Sequence, residues 1–496
     1  MVPPRFRAFR KRGSFWALAM ASVAPTCNTV AAPVCPGCRE RDARIANLEK
    51  QLDTLKAQNR KLGERARRNA SNSSIPPSTN PPDAPKPTTK EPTGRKPGGQ
   101  PGHPGHSRER LPPERVQHVI PFVPITCDHC QAPLPELAGT NDPEPSWHQY
   151  AELPKVAAVV TEYQGHARTC TCCGKVTRAA IPDELRRDII GPRLGATLSY
   201  FSGSPHVSKR GIEEICESVF QVPISLGTVA NLEQQMSAAL QSAHAQAQQT
   251  VQQAPIKHVD ETGWKQAGKK RWLWAAATAT VVCFVIHAKR SSAGLLMLLA
   301  DKLIGLFITD RWSVYGILPV LRRQICWAHL KRDFQKLVDR GGVAEPFGQK
   351  GLDTVRQLFH EWHLFRGGTL TRRQLQTRLQ PLRQAMRVWL EEGTRCAESK
   401  TATFCQNLLD LEPALWTFLR REGVDPTNNH AERVVRTAVL WRKIAFGCHS
   451  EAGCRFVERM LTVVGTLRLQ KRPVLAFLEQ SLRAHRDGRK PPKLIK

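Results

Sequence analysis

The alternation of apolar and polar positions changes character several times along the chain, and each change predicts a different element. Ile45, Leu48, Leu52, Leu55, Asn59 and Leu62 alternate spacings of three and four. This heptad seam predicts a short coiled coil over residues 35–69, with Asn59 at an a position that fixes register. An ordinary amphipathic helix fits the same spacing. Residues 70–113 lose all periodicity and fill with Pro, Ser, Thr and Gly, which predicts an extended linker. Its basic end, from Arg95 to His106, is either an arm that enters a minor groove or a plain tether. Residues 1–34 read as an extension or a misassigned start, with Met20 as the expected true start and the residues before it an upstream extension. Their basic Arg5–Arg12 and apolar Phe15–Ala24 match a secretory signal only superficially.

From Ser208 to Leu240 the pattern predicts helix, turn, helix. Ile212, Ile215, Cys216 and Val219 share one face, Val222-Pro223 breaks the helix, and Ser225 caps the next one. Residues 191–250 therefore suit a helix-turn-helix DNA-binding domain, an αα-hairpin being the alternative. Beyond Ile256 come three consecutive strands, Ile256–Asp260, Arg271–Thr280 and Val281–Ala288. A helix over Ser291–Asp301, a strand over Leu306–Asp310 and a short strand over Gln324–Trp327 follow. The order βββαβα matches a ribonuclease-H-like core, whose first part spans 251–340. Helical spacing over 341–425 predicts an inserted α-domain, and residues 426–496 carry a further core helix with C-terminal helices. The fold class expected is multidomain α+β, the ribonuclease-H-like core being preceded by coiled coil, zinc ribbon and helix-turn-helix.

A formal charge of +30 and a pI near 10.0 point to a polyanionic partner, double-stranded DNA first. No stretch reaches the length of a spanning helix, so a membrane is excluded and a cytoplasmic, nucleoid-associated protein is expected. Fifteen cysteines, an odd number with Cys-x-x-Cys pairs, suit reduced thiols and metal rather than a disulfide framework. Cys127-x-x-Cys130 and Cys170-x-x-Cys173 are two knuckles that together fit a structural zinc ribbon over 114–190, supported by a strand at Lys155–Val160. Cys35-x-x-Cys38 is half of such a site with no second pair nearby.

Asp260 and Asp310 end strands, where open α/β sheets place their ligands, and Glu432 lies in the basic segment Thr427-Asn-Asn-His-Ala-Glu432-Arg-Val-Val-Arg436. Three such acids suit two Mg²⁺ or Mn²⁺ ions acting on a phosphodiester. Arg433, Arg436, Arg442 and Lys443 suit flanking phosphates. His329, three residues after Cys326, suits a donor to a phosphate oxygen or to the attacking water. Blander roles fit each acid alone: a cap at Asp310, a turn at Asp260, an i,i+4 pair of Glu432 with Arg436.

At Asp260-Glu-Thr, Asp310-Arg-Trp-Ser-Val-Tyr315, Cys326-Trp-Ala-His329-Leu-Lys-Arg332 and Thr427-Asn-Asn-His-Ala-Glu432-Arg433 the chain resembles the long DDE transposase subunit of the insertion sequence sixty-six type. Asn72-Ser-Ser-Ile-Pro-Pro77, the Gly-Gln-Pro-Gly-His arm, the cysteine knuckles and Trp441-Arg-Lys443 extend the likeness. Residues before about 35 have no counterpart, and Arg311-Trp312 stands where many members have Gly-Tyr. The resemblance implies cut-and-join chemistry at transposon ends, with Asp260, Asp310 and Glu432 as the triad. Self-association and accessory proteins of the same element are expected partners. The alternatives are a zinc-containing DNA-binding regulator, an inactive remnant, and a nuclease that cuts without joining.

Overall fold

A computed structural model describes residues 36–66, 69, 72, 109–137, 139–140 and 142–495. The expected extension over 1–34, Cys35, the side chain of Cys38 and the basic arm lie outside the described residues. α1 (Pro36–Ala66) is one continuous helix of 31 residues, about 46 Å long at ~1.5 Å per residue. Ile45, Leu48, Leu52, Leu55 and Leu62 are each more than half exposed along it.

Residues 109–190 hold little regular structure beyond the hairpin of β1 (Ala167–Thr169) and β2 (Val176–Arg178) and the turn of helix α2 (Asp183–Arg186). The strand expected at Lys155–Val160 does not form. The segment is extended and has Val159 96% exposed, so nothing apolar covers one side of it. Its Ala158 N–H donates to Phe220 O at 3.0 Å.

The helices α3 (Pro192–Gly203), α4 (Lys209–Ser218), α5 (Leu226–Ala239) and α6 (Gln241–Gln253) follow. Ser208 and Ser225 cap α4 and α5 as their sequence suggests, accepting from Gly211 N at 3.1 Å and Thr228 N at 3.2 Å. Ile212, Cys216, Val229 and Leu232 form a small core within this segment. It is not self-sufficient, because Ala196, Met236 and Leu240 belong to the core of the sheet domain.

β3 (Ile256–Gln266) turns through Ala267 and Gly268, both at positive φ, into β4 (Lys269–Ala277), and β5 (Val282–His287) completes an antiparallel trio. α7 (Ser292–Leu299) crosses over to β6 (Leu306–Thr309), which with β7 (Arg323–Ile325) continues the sheet in parallel, in the order β5-β4-β3-β6-β7. Gly305, at φ +82°, admits β6 beside β3, since a Cβ there would meet Ala254 O at 2.5 Å. α8 (Trp327–Arg340) leaves β7 and leads into α9 (Glu345–Arg366), α10 (Arg372–Gly393), α11 (Ser399–Asp410), α12 (Glu412–Leu415) and α13 (Thr417–Arg420). These five pack Leu358, Leu375, Leu390 and Trp416 onto Ile308, Ile325, Trp327 and Phe334, a second core of their own. The chain then returns as α14 (Asn429–Ala445), α15 (Glu451–Leu469) and α16 (Val474–Arg486).

Both sheet edges are covered by side-chain hydrogen bonds. Glu458, Thr462 and Thr466, four apart on buried α15, accept the outward N–H groups of Ile286, Phe284 and Val282, two apart on β5. On the other edge Thr417 Oγ1 donates to Arg323 O at 2.6 Å, and Gln324 Oε1 accepts from Phe418 N at 2.8 Å. An unpaired strand edge would otherwise template association.

Candidate active site

Asp260 lies within β3, not at its end, because β3 pairs with β4 as far as Gln266. Its parallel pairing with β6 stops at His258, however. Asp260 therefore stands two residues beyond the last parallel pair, and Asp310 is the first residue after β6. The divergence of β3 and β6 opens the sheet between the two acids. Each carboxylate is oriented locally: Asp260 Oδ1 accepts from Glu261 N and Asp310 Oδ1 from Trp312 N, both at 2.9 Å.

Glu432 reaches this place from the first turn of α14. Asn428, at the N-cap position and 1% exposed, does not cap the helix. Its Nδ2 donates to Val259 O at 2.8 Å, its Oδ1 faces His258 Nδ1 at 3.1 Å, and its N–H points at Cys326 Sγ at 3.1 Å. One residue thus ties α14 to β3 and to the start of α8. His430 adds a contact from its Nε2 to Thr278 O at 2.7 Å. Glu432 makes no pair with Arg436. Its Oε1 lies 3.5 Å from His329 Nδ1 and 3.7 Å from the Arg332 guanidinium, both on α8.

The electrostatics follow from this crowding. Desolvation holds the Asp260 carboxyl well above the usual range, and Glu261, Asp310 and Glu432 push it further the same way. Burial, then Asp310, raises Glu261, while Tyr315 and Arg290 oppose the rise. Tyr315 donates its hydroxyl to Glu261, and the Arg290 Nε donates to the same carboxylate at 2.9 Å. Arg290 is itself stacked over Trp312 at 3.7 Å and Trp272 at 4.8 Å. Burial and the neighbouring Arg332 hold His329 below its ordinary pKa, so its imidazole is neutral at pH 7 despite the carboxylates around it. Arg323, 2% exposed, donates to Asp310 O and Thr309 Oγ1, both at 3.3 Å, and supplies a buried positive charge beneath Asp310.

A divalent ion fits this donor set. Glu432 Oε1 and His329 Nδ1 are buried without a hydrogen-bond partner, and among the described residues Cys326, His329 and Glu432 bring one donor atom each within 4.8 Å of one another, a group that does not include Asp260 or Asp310. Burial and neighbouring negative charge raise Asp260 and Glu261, and a nearby cation would relieve both. Cys326 itself is fully buried, its thiol pushed up to about 11 by burial, and packs the start of α8.

Of the four expected phosphate-binding residues, Arg433, Arg436 and Lys443 are exposed on α14. Arg442 instead donates to Thr262 Oγ1 at 3.2 Å and to Gly263 O, pinning α14 on β3. Cys127 and Cys130 form one knuckle, Cys170 and Cys173 another, in matching geometry. Cys127 N donates to Ala132 O and Gln131 N to Cys127 O; Cys170 N donates to Lys175 O and Gly174 N to Cys170 O. Gln131 (φ 59°) and Gly174 (φ 70°) make the same left-handed turn. Backbone N–H groups within each knuckle lower the Cys127 and Cys170 thiols, as thiolate ligands require. Among the described residues the two knuckles are not gathered into one cluster of thiols within 4.8 Å.

Asn428, Arg332, Glu261, Tyr315 and Arg290 were not singled out by the sequence; the first four fall inside the quoted motifs, whereas Arg290 lies outside all of them. No helix among the described residues is long and apolar enough to cross a membrane.

Comparison with known proteins defines the class. The profile of the transposase IS66 family matches residues 187–455, more than half of the chain and all three acids. The chain belongs to the transposase IS66 family. A family of unknown function (DUF6444) matches residues 29–109. Uncharacterized protein y4qI of Sinorhizobium fredii (strain NBRC 101917 / NGR234) is 26% identical over 239 residues, 43% of each chain. The chain therefore spans less than half the length of that relative.

Proposed function

We propose that this protein is a DDE transposase that binds the terminal inverted repeats of a bacterial insertion sequence, cuts there and joins the freed ends to target DNA. The observation that carries the reading is the convergence of Asp260, Asp310 and Glu432 from β3, β6 and α14, close enough for Asp310 and Glu432 to raise Asp260. Sheet order β5-β4-β3-β6-β7, three antiparallel strands then two parallel, supports a ribonuclease-H-like core beneath them.

Asp260, Asp310 and Glu432 would hold two Mg²⁺ or Mn²⁺ ions, which when bound polarise the scissile phosphate and acidify water. The protein's own groups position the reaction. Asn428 and Arg442 fix α14 on β3, and His329 with Arg332 flanks Glu432, whose charge reaches Asp260. His329 serves as a positioning residue whose neutral ring offers Nδ1 to Glu432. In the first step a water oxygen bonds to phosphorus at the element end and the bond to the 3′-oxygen breaks, leaving a 3′-hydroxyl. That hydroxyl next attacks a target phosphodiester, so one P–O bond replaces another without a covalent enzyme intermediate. Exposed Arg433, Arg436 and Lys443 would take flanking phosphates. The knuckles at Cys127, Cys130, Cys170 and Cys173 would share one structural zinc, consistent with a segment whose apolar side chains are left exposed. α4 and α5 suit helix-turn-helix contact with the repeats, through exposed Asn231 and Gln234.

The test is cleavage and joining of element ends by Asp260→Asn, Asp310→Asn and Glu432→Gln. Each should lose both reactions while still binding DNA. Full joining by any one of them refutes the assignment.

A further inference from the structure

We infer that Cys326, His329 and Glu432 form a site for an exchangeable zinc ion, separate from the paired aspartates, and that zinc held there competes with the magnesium chemistry for Glu432; the competition rests on the transposase reading. Among the described residues they are the one group of three His, Cys, Asp or Glu side chains whose donor atoms lie within 4.8 Å of one another. Cys326 stands between β7 and α8, His329 follows within the first turn of α8, and Glu432 enters from the first turn of α14.

The spacing suits an ion rather than a hydrogen bond. His329 Nδ1 and Glu432 Oε1 are 3.5 Å apart and neither has a hydrogen-bond partner. A direct N–H···O bond would bring them to ~2.9 Å. Two ligands each ~2.1 Å from a tetrahedral ion stand ~3.4 Å apart. The sulfur is prepared as well. Burial pushes the Cys326 thiol up, but the N–H groups of Asn428, His329 and Ala328 oppose that rise, with the Asn428 nitrogen 3.1 Å from Sγ. Such N–H groups stabilise the thiolate that remains when zinc displaces the proton to solvent. Asn428 is itself anchored to Val259 O, so this outer support is fixed.

The donor types choose the ion. A thiolate, an imidazole and a carboxylate together favour zinc over magnesium, which takes oxygen ligands. Three protein ligands leave a fourth position open to solvent, so this zinc exchanges where one closed in by four thiolates does not. The Arg332 guanidinium, 3.7 Å from the same Glu432 oxygen and with its side chain 28% exposed, is the cation that zinc replaces. Zinc at Glu432 would neutralise the charge that now reaches Asp260 and weaken the hold of the acids on magnesium.

Reduced full-length wild type, dialysed to constant metal content, is titrated with Co²⁺ as the spectroscopic stand-in for zinc. A further equivalent should bind with a thiolate-to-cobalt absorption band in the near ultraviolet, and Zn²⁺ should erase that band. Cys326→Ser and Glu432→Gln should each lose the band, and Asp260→Asn should keep it. Equal thermal melting checks the fold of each variant; should Cys326→Ser fail to fold, Glu432→Gln decides. In cleavage assays at saturating Mg²⁺, added Zn²⁺ should slow wild type several-fold. Cys326→Ser, measured against its own zinc-free rate, should be slowed far less. An undiminished band in Cys326→Ser or Glu432→Gln would overturn the site. Loss of the band in Asp260→Asn would move the ion to the aspartates and overturn the separation. A filled site without slowing would overturn the competition for Glu432. Wild type that binds the extra ion yet never cuts DNA would overturn the transposase reading and the competition with it, leaving the zinc site in place.

Discussion

His329 Nδ1 lies 3.5 Å from Glu432 Oε1, and neither atom has a hydrogen-bond partner. The two residues are on different helices, α8 and α14, that meet only because the insertion folds back. Replacing His329 by Ala should reduce cleavage about 10²-fold, within the range of positioned acid–base groups, with DNA affinity unchanged. His329→Gln, which keeps a polar atom near Glu432, should recover part of the rate. Cleavage at the wild-type rate in the Ala variant, or collapse of its melting transition, would make His329 a packing residue.

Mutual repulsion at the acids predicts a stability effect independent of catalysis. Mg²⁺ at about 100 times its dissociation constant should stabilise the protein by about 2.7 kcal/mol, a melting shift of several degrees. Asp260→Asn should melt higher than wild type without the ion, since one repelling charge is gone, and gain little from adding it. Equal Mg²⁺ shifts in both proteins would place the ion elsewhere.

His206 provides a pH signature. Burial, with Arg468 adding to it, pushes its pKa down to about 4, and its ring stacks on Trp441 at 4.8 Å. The unfolded chain takes up this proton near pH 6.5 and the native state only near 4, so the native state binds fewer protons in between. Stability from this group is complete above pH 6.5 and is lost as pH falls toward 4. His206→Asn, tolerated at φ +62°, should flatten the melting temperature across that window. An identical pH profile would exclude His206 as its source.

Reduced wild-type protein should carry one zinc per chain. Elemental analysis of Cys127→Ser/Cys170→Ser should find it absent, and DNA binding should weaken with it. Retention of the metal in that variant would separate the knuckles from zinc binding.

The apolar seam of α1 predicts self-association. Leu48→Glu/Leu55→Glu in the full chain should lower the sedimentation coefficient to that of a single chain. Wild type that is already monomeric at tens of micromolar would return α1 to an ordinary helix.

Local periodicity carried much of this architecture. The alternation in Ile256–Asp260 and the apolar run Leu306–Thr309 announce strands, and Ser225 announces a helix start, because each signal lies within a few residues. The extension of β3 past Asp260 escaped notice, since Gly263 and Lys265 interrupt the apolar pattern while β4 still supplies its partners. Asn428 stands at a helix N-cap position, and its contacts to Val259 and Cys326 span more than a hundred residues and leave no local trace. Glu458, Thr462 and Thr466 formed a legible polar stripe in an apolar helix, but its meaning depends on β5. Arg442 resembled Arg433 in sequence and differs only in facing β3.

The helical insertion also orders events in time. Residues 311–431 must all be made between the second acid and the third. At 5 to 20 residues per second that interval is roughly 6 to 24 s. During it the emerging chain carries the helices that suit DNA, and two acids, but nothing that cuts. A polypeptide abandoned in that interval would lack both the third acid and the α15 and α16 side chains that complete the core under α3 and α5, so the finished C-terminal helices would license DNA contact and chemistry together.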